Sequence, residues 1–183
     1  MKYHTALKPE HDAAPCQTVV ADDSIAFCHD IFAGLPDEYD FAQVIYTEIP
    51  WLDGFDTFEG RAGASGRDYA SFLAALSNII MESSLPMVIV AGKKARKYLP
   101  EPVEAYSTKL NGAPAAAYCY RIGLSNYASD MDILAELTRR FDVGGDFCCG
   151  YGRTAKAFRD AGKRFVVSDY NPTCIGHIRD WLV

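Results

Sequence analysis

Short continuous apolar runs alternate along the chain with stretches in which apolar residues recur at helical spacing, and that alternation predicts strands and helices in turn. Residues 1–23 are polar and broken by Pro9 and Pro15, which predicts a loosely ordered lead-in. The run 24–28 reads as a first strand ending at His29-Asp30. A single helical turn, 31–35, follows before the breaker Pro36-Asp37-Glu38. Residues 42–47 form a β-prone run of the kind buried on both faces of a parallel sheet. The stretch 52–66 carries four glycines without periodicity and reads as an active-site loop. Over 67–83, Tyr69, Phe72, Leu73, Leu76, Ile79 and Ile80 mark one face of a helix that leads into a strand at 86–91. A basic helical turn, 93–98, is stopped by Pro100. Strands at 103–110 and 115–122 flank Asn111-Gly112, a strong short hairpin signal. The tail repeats the alternation: helix 130–141, strand 143–147, helix 154–161, strand 164–168 and helix 171–182. Seven strands with one antiparallel hairpin make an α/β layered domain.

The chain of 183 residues, 49% hydrophobic, suffices for one domain with a sizeable core. It has no run of about 18 apolar residues, and its start lacks the order of a signal peptide, so a soluble intracellular protein with no membrane partner is expected. Six cysteines without paired C-x-x-C spacing suggest neither disulfides nor zinc, and no metal site is expected. A formal charge of −6 disfavours general affinity for polyanions, which rests on phosphate neutralisation. Any nucleic-acid contact is expected to be local. Its candidates are Lys93, Lys94, Arg96 and Lys97 with Arg61 and Arg67; a solvated helix face accounts for the cluster equally well.

Chemistry concentrates in residues 144–154, Gly-Gly-Asp-Phe-Cys-Cys-Gly-Tyr-Gly-Arg-Thr, a glycine turn between a strand and a helix. Gly150 and Gly152 would let backbone approach a ligand at the helix N-terminus, and Asp169, closing the next strand, is placed to accept ribose hydroxyls. The alternative for the glycines is tight strand–helix packing. Asp146 suits either a ligand amine or a helix cap. In an ordinary doubly wound domain such a turn follows the first strand; here it lies near the C-terminus, which points to a reordered fold.

The segment DFCCGYGRT resembles the Asp-Pro-Phe-x-Gly-x-Gly-x-Thr motif of S-adenosylmethionine-dependent amino-methyltransferases of nucleic-acid bases, and RFVVSDYNP resembles the strand and Asp-x-Asn-Pro turn that follow it. Residues 27–51, FCHDIFAGLPDEYDFAQVIYTEIPW, resemble the family's opening stretch, which runs into the catalytic Asp-Pro-Pro-Tyr/Trp motif. Catalytic motif first and cofactor motif last is the order of the circularly permuted, beta-class members, and the similarity spans nearly the whole chain. The resemblance implies a Rossmann-like class I methyltransferase fold over 24–183, with a catalytic half at 24–122 and a cofactor half at 123–183. It implies S-adenosylmethionine as cofactor. Asp146, Cys149, Gly150, Gly152 and Thr154 would line its methionine end, Asp169 would bind the ribose and Asn171 would lie near the adenine, with Phe147, Cys148 and Tyr170 also among the cofactor-binding residues. Asp30 would sit at the adenine edge or cap the turn after it.

The catalytic motif departs from the family: Glu48 stands for Asp and Ile49 for the first Pro, while Pro50 and Trp51 remain. By the resemblance Glu48 would accept a hydrogen bond from the target amine, the Ile49 carbonyl would take the other amine hydrogen, and Trp51 would stack on an extruded base. A core aromatic is the alternative for Trp51. At 124–127 the chain has Leu-Ser-Asn-Tyr where the family has His-Pro-Thr-x-Lys-Pro, and no long target-recognition insertion is present. The expected activity is methyl transfer to an exocyclic amine, adenine N6 in DNA before RNA. Two rival readings stay open, a catalytically silent chain that serves as the partner of an active subunit and methylation of an amine outside nucleic acid, and so does a homo- or heterodimer. Without a recognition insertion, specificity is relaxed, a partner subunit supplies it, or the substrate is not long duplex DNA. Small permuted enzymes of this kind are often carried by phages and mobile elements. The expectation with the sharpest geometric content is that the strands ending at Thr47 and Phe147 lie side by side.

Overall fold

A computed structural model describes residues 18–51, 55–56, 67–125 and 127–182. Among these, eight strands form one sheet: β1 (Val19–Ala21), β2 (Ser24–Cys28), β3 (Val44–Glu48), β4 (Met87–Ala91), β5 (Glu104–Leu110), β6 (Ala113–Tyr120), β7 (Val143–Asp146) and β8 (Arg164–Asp169). Their order across the sheet is β1-β2-β8-β7-β3-β4-β6-β5. The five strands β2, β8, β7, β3 and β4 are mutually parallel, so their carboxyl ends share one edge. The glycine-turn strand β7, late in the chain, stands at the centre beside β3. From that pair the chain progresses in opposite directions across the sheet, the geometry that opens a crevice at the strand ends.

The seven-stranded expectation is corrected at the N-terminal edge. Residues Val19–Ala21, assigned to the polar lead-in, pair antiparallel with β2 through a two-residue turn at Asp22 and Asp23, both in the left-handed region. The single expected hairpin is therefore joined by a second. The remainder of the lead-in, 1–17, lies outside the described residues, as does most of the expected loop 52–66, including Arg61. The β5–β6 hairpin forms as its Asn-Gly signal predicts, with Asn111 at φ +51° and Gly112 at φ +80°. Its second strand starts at Ala113, earlier than the pattern suggested, and Pro114 pairs only with β5.

Among the described residues, four α-helices of eight or more residues cover the sheet: α1 (Tyr69–Glu82), α2 (Asp130–Arg140), α3 (Arg153–Asp160) and α4 (Pro172–Leu182). Asp68 caps α1 by accepting from the Ser71 amide, and Ser129 caps α2 by accepting from Asp132. The α1 stripe Tyr69, Phe72, Leu73, Leu76, Ile79 and Ile80 packs with Ile45 and Ile89 on one face; α2, α3 and α4 pack with Val44, Tyr46, Val88 and Val90 on the other. Alternate residues of β3 and β4 thus feed two cores, which explains their unbroken apolar runs. No helix among the described residues is long and apolar enough to cross a membrane. Against the expectation of no disulfide, Cys28 is disulfide-bonded, while Cys119, Cys148 and Cys149 are free thiols.

Candidate functional site

The carboxyl ends of β2, β8, β7 and β3 surround a cleft of about 870 Å³. Register brings Ile45 opposite Gly145, and two residues further on the Thr47 hydroxyl donates to Asp146 at 2.7 Å, so the ends of β3 and β7 do lie side by side. Glycines at 144 and 145 make this closeness possible. A Cβ on Gly144 would enter the Phe158 ring, and one on Gly145 would meet Tyr39 and Ile45 at 3.2 Å.

Asp146 is buried at the floor, where its carboxylate also accepts from the Thr154 hydroxyl at 2.6 Å and the Cys148 amide at 3.1 Å. Burial pushes its pKa up to about 7 despite the opposing pull of Thr154, Thr47 and the Cys148 amide. Three of its acceptor positions are spent on the protein, so this carboxylate ties β3, β7 and the first turn of α3 together. Thr154 likewise reaches the site through Asp146 and does not line the cleft.

The two turn glycines separate in role. Both have positive φ, but a Cβ on Gly152 would strike Ile178 at 2.8 Å, whereas nothing stands within 4 Å of one on Gly150. Gly152 is therefore required for packing on α4, and Gly150 is the glycine that presents open backbone. Asp169 spans the turn: it accepts from the Gly150 amide and the Asn171 amide, each at 2.8 Å. Burial raises its pKa while the Asn171 and Gly150 amides oppose the rise. Asn171 itself caps α4 through the Thr173 amide at 3.0 Å. Phe147, Cys148, Cys149 and Tyr170 line the same cleft, and burial holds both thiols well above their ordinary range.

At the β2 end, Asp30 has two surroundings. It caps the turn through the Phe32 amide at 3.1 Å and faces the cleft. There it makes a bidentate pair with Arg67, at 2.9 and 2.5 Å. The Arg67 guanidinium lies 4.5 Å from the Phe32 ring centre and 4.8 Å from that of Tyr170, a cation held between two aromatic faces. Arg67 is thus committed to the cleft wall rather than to a basic surface.

On the opposite wall, Glu48 lies 20% exposed at the end of β3. Its Oε1 accepts from Tyr46 at 2.8 Å and from Arg153 at 3.1 Å. Oε2 has no hydrogen-bond partner among the described residues. Burial raises the Glu48 pKa; Arg153 and Tyr46 pull it back and Asp130 adds to the rise. Arg153 also grips Asp130 and Asn111, joining the N-termini of α3 and α2 to the hairpin tip. Ile49 is buried and its amide donates to Val90 at 3.1 Å, while Pro50 and Trp51 line the cleft. Trp51 lies over Gly92, 3.8 Å from the point where a Cβ would project, and packs partly against the second core. Core and cleft are both its surroundings.

The pattern of the sequence missed Arg153, which occupies the variable position between Gly152 and Thr154, and missed Tyr39 within an acidic turn. The Tyr39 hydroxyl donates to the Asp146 carbonyl at 2.8 Å and meets the Ser168 hydroxyl at 2.8 Å, fixing the ends of β7 and β8. Neither residue had a motif to flag it. Of residues 124–127, which depart from the family's His-Pro-Thr-x-Lys-Pro, Asn126 lies outside the described residues, and Leu124 and Tyr127 pack into the second core cluster.

No protein-family model matches the sequence, and no curated protein matches it significantly. Solved structures do resemble the fold. M1.HpyAVI in complex with SAM aligns over 86% of this chain and 98% of its own, with a TM-score of 0.54 and 12% identity. A second M1.HpyAVI structure aligns over 86% and 97%, with a TM-score of 0.53 and 13% identity. TTHA0409 of Thermus thermophilus, assigned as a DNA modification methylase, aligns over 81% and 92%, with a TM-score of 0.51 and 15% identity. At such identities the likeness is one of fold.

Proposed function

We propose that this chain is an S-adenosylmethionine-dependent methyltransferase acting on an exocyclic amine of a nucleic-acid base, adenine N6 of DNA in the first place. It would do so on a circularly permuted class I fold, with 24–122 as the catalytic half and 123–183 as the cofactor half. The observation that carries the reading is the juxtaposition across β3 and β7: Glu48 and the glycine turn open into one cleft, joined by the Thr47–Asp146 bond. The position of β7, after β3 in the chain but beside it in the sheet, supports the permutation.

The cofactor fits what is there: open space over Gly150 beside the Asp169 carboxylate, with Asp30, Tyr170 and Asn171 further along the same wall. When bound it supplies an activated methyl group on a sulfonium. This chain's own part is positioning, the main source of rate in an in-line displacement. The Glu48 carboxylate would accept one hydrogen of the target amine and the Ile49 carbonyl the other, aiming the nitrogen lone pair at the methyl carbon. Trp51 would hold the base by stacking, with Pro50 fixing the turn between them. Phe147, Cys148, Cys149 and Gly152 shape the turn, while Asp146 and Thr154 brace it.

A second reading has a specific observation in its favour. Glu48 already spends Oε1 on Tyr46 and Arg153, and Ile49 lacks the rigidity of proline, as suits a catalytically silent chain that keeps the cofactor cleft and serves a partner. Titration calorimetry with S-adenosylmethionine, then methyl transfer from labelled cofactor to DNA, RNA and protein, separates the readings. Binding with transfer to DNA is expected. Cofactor at 100 times its dissociation constant should add about 2.7 kcal/mol of stability, read as a rise in Tm. Binding without transfer, in the absence of a partner, selects the silent reading; transfer only to protein or small amines selects another substrate; absence of binding overturns both.

A further inference from the structure

We propose that Arg153 is a positioning residue of this cleft: by gripping Oε1 of Glu48 it leaves Oε2 to take the hydrogen bond of the target amine. The inference rests on the methyl-transfer reading above. A glutamate has one more methylene than the aspartate of the motif it resembles, and hence one more torsion to fix before its carboxylate can act. In this chain the extra length is used to reach partners. Tyr46, from the same strand, and Arg153, from the first turn of α3, converge on one oxygen and define the side chain's direction.

Arg153 is itself held. Asp130, at the start of α2 and 4% exposed, takes Nη1, and Asn111, at the tip of the β5–β6 hairpin, takes Nη2. Two separate elements, α2 and the hairpin, therefore set the place of one guanidinium, and a planar fork pinned at two nitrogens tolerates little rotation. Both Arg153 and Asn111 line the cleft with Glu48.

Charge supports the same role. Among the described residues, the groups facing Glu48 are Tyr46 from β3, Arg153 from α3, Asp130 from α2 and Asp146 from β7, so Arg153 is the cation among three acidic groups and a phenol. Burial and Asp130 favour the protonated form of Glu48; Arg153 favours the carboxylate, the form able to accept from an amine. Removing Arg153 should raise the pH at which Glu48 ionises and carry the acid limb of the pH–rate profile upward.

The test has two readouts. Carbon-13 NMR of glutamate-labelled protein, with the Glu48 signal identified by its loss in Glu48→Gln, gives the ionisation midpoint without requiring turnover. In Arg153→Met the midpoint should rise by about one pH unit or more, and Arg153→Lys should restore part of it. Asp130→Asn, which removes a carboxylate beside Glu48 and keeps the cation, should move the midpoint down. In transfer assays Arg153→Met should lower kcat at neutral pH with little change in the KM for cofactor, and activity should recover as pH rises. An unmoved midpoint in folded Arg153→Met, or loss of rate equal at all pH values, overturns the assignment. If the unmodified protein transfers no methyl group while the midpoint shifts as expected, the methyl-transfer reading fails, and with it the amine-presenting role, and only the pinning of Oε1 survives.

Discussion

Asp146 shows how a single buried carboxyl can organise a site and weigh on stability at once. Its pKa of about 7 lies above the roughly 3.9 of an exposed aspartate, because burial outweighs the bonds from Thr154, Thr47 and the Cys148 amide. The folded state therefore holds its proton across a pH range in which the unfolded chain has released it. Between those two values stability falls as pH rises, at most about 1.4 kcal/mol per pH unit from this group. Asp146→Asn should flatten that slope in urea denaturation between about pH 4 and pH 7. An amide can still accept from Thr47 and Cys148 through its oxygen and donate to the Thr154 hydroxyl. An unchanged slope would mean that Asp146 ionises in the fold as readily as outside it. The sequence singled out Asp146 as a ligand group or a cap, and what no pattern disclosed was the company it keeps. Thr47 is nearly a hundred residues away, and only the pairing of β3 with β7 makes them neighbours.

At the scale of elements, β7 is the least ordinary strand, with two of its four residues glycine. Glycine weakens a strand through backbone entropy, so its presence needs a reason, and here the reason is what lies on each face: Phe158 over Gly144, Tyr39 and Ile45 over Gly145. Gly144→Ala should destabilise the fold by about 1–3 kcal/mol through overpacking in denaturant unfolding, since the obstacle is a fully buried ring of α3. Gly150→Ala meets no neighbour, so its cost is confined to strain at φ +50°, about 1–2 kcal/mol, and it should weaken cofactor binding more than its loss of stability would suggest. Equal losses of stability with equal binding would erase the distinction between a packing glycine and a ligand-facing one. The longer elements were legible because burial imposes periodicity: the α1 stripe and the unbroken runs of β3 and β4 each follow from the faces they bury. Strand β1 was not, being three residues long, with one side chain buried and its pairing set by two aspartates in left-handed backbone. Arg153 escaped for the converse reason. It sits where a motif tolerates any residue, and its purpose appears only once the hairpin tip and α2 are brought to it.

Across the whole molecule the cleft is walled by acids, Asp30, Glu48, Asp146 and Asp169, while two of its cations are already paired, Arg67 with Asp30 and Arg153 with Glu48 and Asp130. Lys156 at the rim faces Asp160 at 3.0 Å, and in the basic turn after β4, Arg96 is taken by Glu101. That turn leaves Lys93, Lys94 and Lys97 without an ion pair among the described residues, and it starts at Gly92, against Trp51. If a polyanion approaches the cleft over Trp51, these three lysines are its first phosphate contacts. Three neutralised phosphates give a slope of log K against log salt of about −2.7 on duplex DNA, roughly a forty-fold loss of affinity between 50 and 200 mM salt. Filter binding or anisotropy across that range should show such a shallow dependence, and replacing the three lysines by alanine should remove most of it with the cofactor affinity retained. A much steeper slope would mean that phosphate contacts come from other parts of the chain. A slope near zero would instead turn the net charge of −6 into an argument for an amine outside nucleic acid, or for a partner that brings the positive surface with it.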